Sequence, residues 1–173
     1  ANGIKSSLQS GDTQRFQDAF PDTWALMGLL PSDPPATPVA AGFSSTSGGT
    51  LDELSSKMDL DLGGLSQAFG AINVTEIVFA AYANDAIIIP GQIYRDFLSS
   101  SRVGAIIVAR STYPGAILSF FLDSFADQIG LSDGPTISGE EVLSRELDGI
   151  HLLVKPLGNT IFLTIAPSQA MAE

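Results

Sequence analysis

The chain has 173 residues and no cysteine; 45% of it is hydrophobic, only 16% is charged, and 19 acidic against 8 basic residues give a net charge of −11. Disulfides, thiolate nucleophiles and cysteine metal sites are excluded, and an acidic surface without blocks of one charge disfavours nucleic acid and anionic lipid as partners. A chain of this length buries roughly 70% of its unfolded surface, so residues 1–173 are expected to form a single α+β domain that needs no staples.

No apolar run approaches the about 18 residues of a spanning helix, so no membrane insertion of this segment is expected. The nearest, Ala116 to Leu122, is far too short. The chain begins Ala1-Asn2, which fits a processed mature protein or a trimmed fragment. With the low charge density, this sets the expectation of an extracytoplasmic location: secreted, periplasmic or cell-surface.

Residues 1–11 are small and polar and read as a flexible N-terminal stub. Asp12 to Phe20 reads as a short helix, with Asp12 or Thr13 as cap, Phe16 and Phe20 four apart, and Pro21 as terminator. Thr23 to Leu30 is a short apolar run between Pro21 and Pro31, expected to be a buried strand carrying Trp24. Residues 31–49 hold four prolines and three glycines. They read as one long irregular loop, the segment expected to meet a partner.

Thr50 and Glu53 form a capping box, with a helix expected to about Met58 and another from Gly64 to Phe69. Asn73 to Tyr82 is β-branched and aromatic, hence a strand. Asn84-Asp85 then turns the chain into Ala86–Ile89, giving a hairpin over 74–89. Gln92 to Ser99 reads as a helix and Gly104 to Ala109 as a strand, so one βαβ crossover is possible between 86–89 and 104–109. Pro114 suits a helix first turn, and Ile117, Phe121, Phe125 and Ile129 recur every four residues up to Gly130. Leu118 and Leu122 widen this stripe into the expected core face. Glu141–Leu147, Ile150–Lys155 and Thr160–Ala166 form a three-stranded meander, turned by Asp148-Gly149 and by Leu157-Gly158-Asn159. The last strand is apolar on both faces and should lie centrally in its sheet.

No residue set qualifies as catalytic, cofactor-binding or metal-binding, and no cofactor is implied. His151, the one histidine, shares a strand face with Leu153 and Lys155, and no G-x-S-x-G elbow accompanies it. Asp59 and Asp61 begin a calcium-loop pattern that fails at Gly63 and at Gly70, where a glutamate is required. Asp123 and Asp127 fall on the solvated side of their helix, and Glu140-Glu141 lie beyond it. Pro90-Gly91 precedes a helix but lacks the glycine pattern of a phosphate loop. Asn73-Val74-Thr75 is a formal glycosylation sequon.

These observations favour a non-catalytic extracytoplasmic binding or self-assembly protein whose partner is protein, self or other. The first alternative is a hydrolase built from scattered carboxylates and serine, drawing on Asp123, Glu140, Glu141 or His151. The second is a carrier with an apolar pocket between helix 114–129 and the sheet, its small-molecule ligand unknown.

Overall fold

The β-branched and aromatic stretches do become strands. The structure, a computed structural model, describes residues 10–31, 37–44, 70–83, 103–147 and 149–172. Seven strands form one sheet: β1 (Thr37–Ser44), β2 (Val74–Ala83), β3 (Val103–Ser111), β4 (Ser132–Ile137), β5 (Glu140–Leu147), β6 (Ile150–Leu157) and β7 (Thr160–Ala166). Their spatial order is β1-β2-β3-β7-β6-β5-β4, and every neighbouring pair is antiparallel. The fold class is therefore α+β with a mainly antiparallel sheet.

The strand with two apolar faces, β7, is fourth of the seven. It lies between β3 and β6, and Ile161, Leu163 and Ile165 are each fully buried. The meander has four strands, because β4 precedes the three that the turns mark. Ser132–Ile137 (SDGPTI) lacks alternation and carries Pro135, which a strand tolerates at a sheet edge. The β4–β5 turn supplies the signal instead: Ser138 and Gly139 have φ of 55° and 84°, the two left-handed residues of a tight hairpin turn. Both edges of β3 pair with antiparallel strands, β2 and β7, so no parallel neighbour adjoins it. Likewise β2 is flanked by β1 and β3. The turn at Asn84-Asp85, the return at 86–89, Pro90-Gly91 and the helix at 92–99 lie outside the described residues.

Two expectations fail in the N-terminal part. The apolar run after Pro21 is a helix and not a strand. Helix α1 (Ser10–Ala19) is followed directly by α2 (Pro21–Met27). Pro21 opens α2 because a first-turn residue needs no N–H and its φ is preset, and Asp22 complements the helix dipole. Leu26, Met27 and Leu30 are buried against Val78, Ala80, Tyr82 and Val108 on one sheet face. Full burial of each such side chain stabilises by about 1.5–3 kcal/mol. The supposed loop 31–49 contains β1, since Pro38 is tolerated on an edge strand and Ala40–Ser44 pair regularly with Ile77–Ala81. The capping box at Thr50–Glu53 and the helices expected to Met58 and from Gly64 to Phe69 lie outside the described residues.

The opposite sheet face is covered by α3 (Gly115–Ala126) and the 3-10 turn Asp127–Ile129. The helix buries one side of the expected stripe. Leu118, Leu122, Ala126 and Ile129 are buried, whereas Ile117 is 42% exposed and Phe121 and Phe125 are half-buried. With apolar residues on most of its circumference, periodicity alone cannot choose the buried row. The small Ala126 lets the axis approach the sheet. Gly130 (φ 69°) ends the turn, and Arg145 Nη1 donates to the Ile129 carbonyl at 2.8 Å. A short helix, α4 (Gln169–Ala172), closes a smaller cluster of Val142, Leu153, Ala166 and Ala172.

Candidate functional site

Strand alternation and the tight β5–β6 turn set the first candidate. Leu147 pairs with Ile150, so Glu146 stands opposite His151 and Ser144 opposite Leu153. Ser132 of β4 pairs with Ser144. With Gln169 of α4, these residues line an open cleft of about 360 Å³ on the face away from α3. Leu153 supplies apolar lining. His151 is half-buried, while Ile150, Leu152 and Val154 face the α3 core as the alternation requires. Asp133 and Arg145 line it too, so the cleft joins one imidazole, two carboxylates, one guanidinium and two hydroxyls.

A second cleft, of about 400 Å³, opens at the C-terminal end of α3 among Asp123, Asp127, Ser132, Asp133 and Leu143. Its three aspartates are exposed. They also sit at the negative end of the helix dipole, which has no basic residue in its last turn. Among the described residues no three ligand-type side chains converge as a metal site would need. The cleft is a region of negative potential without a built site.

The residues singled out for acid–base work are dispersed. Asp123 lines the acidic cleft on the α3 side, and His151 lines the cleft on the other side. Glu140 and Glu141 begin β5 at the end remote from Glu146, and Lys155 Nζ holds Glu140 Oε2 at 2.6 Å. Asp59 and Asp61 lie outside the described residues. Asn73 of the sequon is exposed with φ 49°, and its Nδ2 donates to Thr112 Oγ1 at 2.7 Å. Sequence spacing did not single out Ser132, Ser144 and Glu146, although the pairing of Leu147 with Ile150 brings Glu146 to His151.

The remaining candidates are apolar. On the outer side of α3, Phe120 is 69% exposed and Ile117 42% exposed. Phe121 stacks on Tyr113 and on Phe125, with ring centroids 5.9 and 6.1 Å apart. Leu157, at the β6–β7 turn, is also exposed. That turn abuts the start of α3, because Gly115 packs on the Gly158 backbone. A second aromatic group gathers at the β1 edge, where Phe43 lies 5.0 Å from Phe16 and 5.5 Å from Phe20 between ring centroids. Both described clefts are lined largely by polar residues, unlike the apolar pocket a carrier would need.

Compared with family models, curated proteins and solved structures, the chain matches none. Among the described residues no helix is long and apolar enough to cross a membrane.

Proposed function

We propose that this chain is a non-catalytic binding or self-assembly protein that engages a protein partner through the outer face of α3. The observation that carries this reading is Phe120, a phenylalanine 69% exposed beside exposed Ile117. Large apolar side chains exposed side by side on a protein of net charge −11 mark a site of association. The polar cleft residues, by comparison, are spread over several strands. An extracytoplasmic setting belongs to this reading and rests on the composition of the chain. Sedimentation velocity on wild type and on an Ile117→Ser/Phe120→Ser variant tests it, with the partner present or with the chain alone if it self-associates. The variant is expected to lose association while thermal unfolding stays within a few degrees. Undiminished association would remove the α3 face from the account.

One observation favours the hydrolase as a second reading: Ser144, Glu146 and His151 line the same cleft. In that case His151 acts as the base and Glu146 orients it, an arrangement recognised by roles and not by sequence order. A screen of ester and glycoside substrates would decide. Turnover abolished by His151→Ala would establish this reading, and no turnover would dismiss it.

A further inference from the structure

We infer that the β1 edge is a self-recognition surface, where a second copy of this chain adds its own β1 antiparallel across a two-fold axis. This goes beyond the α3 reading: it names a separate surface, whose partner is a second copy of the chain. The two ends of the sheet are built differently. The β4 edge is blunted by Pro135, a register shift between Asp133 and Thr136, and the exposed Asp133. Such devices stop an edge from recruiting another strand. The β1 edge lacks them from Ala40 onward. Its register with β2 is continuous from Ala40 to Ser44, and the only irregularity lies between Pro38 and Ala40. Among the described residues β2 is its sole sheet partner.

Charge points to a second copy as the occupant. At a net charge of −11, two copies repel wherever acidic residues face each other, yet residues 31–49 carry one charge, Asp33. The edge is the uncharged strip along which identical acidic molecules can approach. The side chains are self-complementary as well. With Gly42 on the axis opposite Gly42 of the second copy, Ala41 stands opposite Phe43 of that copy. Directly opposed residues of an antiparallel pair share a face. Ala41 is small and exposed, and Phe43 is 40% exposed. Each Phe43 ring then covers the other copy's Ala41, and the two Phe16–Phe20–Phe43 clusters meet on one face. Gly42 is free to lie on the axis because Phe79 already covers its other face, its ring 2.4 Å from where a β-carbon would stand.

Sedimentation velocity on the purified full chain across a wide concentration range tests this. Wild type is expected to pass from monomer to dimer as concentration rises. Ala41→Lys and Phe43→Ser should each weaken the dimer about tenfold or more, the effect of losing about 1.4 kcal/mol at an interface. Ala41→Lys should melt as wild type does, whereas Phe43→Ser also loses its packing on Phe16 and Phe20 and should melt lower. Should either misfold, hydrogen exchange on wild type answers the same question: amides 41–43 should be better protected in concentrated than in dilute protein. A wild type that stays monomeric at the highest concentration overturns the inference. So does a dimer that survives both substitutions, or exchange at 41–43 independent of concentration. A dimer lost only in Ile117→Ser/Phe120→Ser overturns the β1 edge while leaving association through α3 standing.

Discussion

The carbonyl oxygen of Gly158 lies 2.6 Å from the place a β-carbon on Gly115 would occupy. The first turn of α3 therefore rests directly on the β6–β7 hairpin turn, backbone on backbone. Replacing Gly115 by Ala raises intrinsic helix propensity, but the obstructing atoms are main chain and cannot rotate away. Gly115→Ala is expected to destabilise by about 1–3 kcal/mol, the usual scale of overpacking. Urea unfolding measures it, and a neutral or stabilising result would contradict the contact.

Tyr82 ties the sheet to the chain leaving α2, its hydroxyl donating to the Pro31 carbonyl at 2.7 Å. Burial pushes its hydroxyl up to about 12 from the ordinary 10. The folded state therefore holds the proton more tightly than the unfolded state. The stabilisation is whole below pH 10 and drains away as pH climbs towards 12, to at most about 3 kcal/mol for two units. Tyr82→Phe should lose the hydrogen bond, about 1 kcal/mol at neutral pH. Its stability should then fall less steeply than that of wild type in alkali. Parallel alkaline curves for the two proteins would contradict the burial.

Helix α2 is pinned by a polar group as well as by Leu26 and Leu30. Arg110 Nη1 stands 3.3 Å from Glu76 Oε2 and 3.5 Å from Asp22 Oδ1, and Thr23 Oγ1 donates to Glu76 Oε1 at 3.2 Å. The Arg110–Glu76 contact has ion-pair distance without hydrogen-bond alignment, since Oε2 is buried with no bonded donor. Removing the guanidinium leaves that carboxylate stranded. Arg110→Met is expected to cost about 2 kcal/mol or more, and adding Glu76→Leu should recover most of it. Additive losses in this double-mutant cycle would show that the pair does not interact.

Much of this architecture is legible in the sequence, and the exceptions have specific causes. Strong local chemistry carried the C-terminal half: Gly149 and Gly158 take positive φ in the hairpin turns, and doubly apolar β7 lies at the sheet centre. Residues 23–30 misled because a short apolar run fits a strand or a buried helix equally, and Pro21 is both a terminator and a first-turn residue. Strand β1 hid within a proline-rich stretch because edge strands accept proline and glycine. The α3 stripe is buried along Leu118, Leu122 and Ile129 but not at Ile117, because a helix apolar on most sides has no unique buried face. The cleft at His151 depends partly on the hairpin register, which the turn implies, and partly on Ser132 of β4 and Gln169 of α4, whose approach leaves no trace in linear spacing.

Asp123 and Asp127 are four residues apart at the negative end of α3 and repel each other there. Asp127→Lys should convert this into an i,i+4 pair with Asp123 and complement the dipole. A gain of about 0.5–1 kcal/mol is expected, read as a melting temperature raised by about 2–4 °C. A lower melting temperature would mean that the acidic cleft is stabilised by something other than these charges.

The central claim is that the chain acts by associating with protein through its exposed apolar surface. Native mass spectrometry on protein purified gently from its own source tests it most directly, reading subunit count and any bound mass together. The account predicts a defined complex whose added mass is polypeptide, either further copies of the chain or another protein. A bare monomer, or a monomer carrying one discrete small molecule, would contradict it.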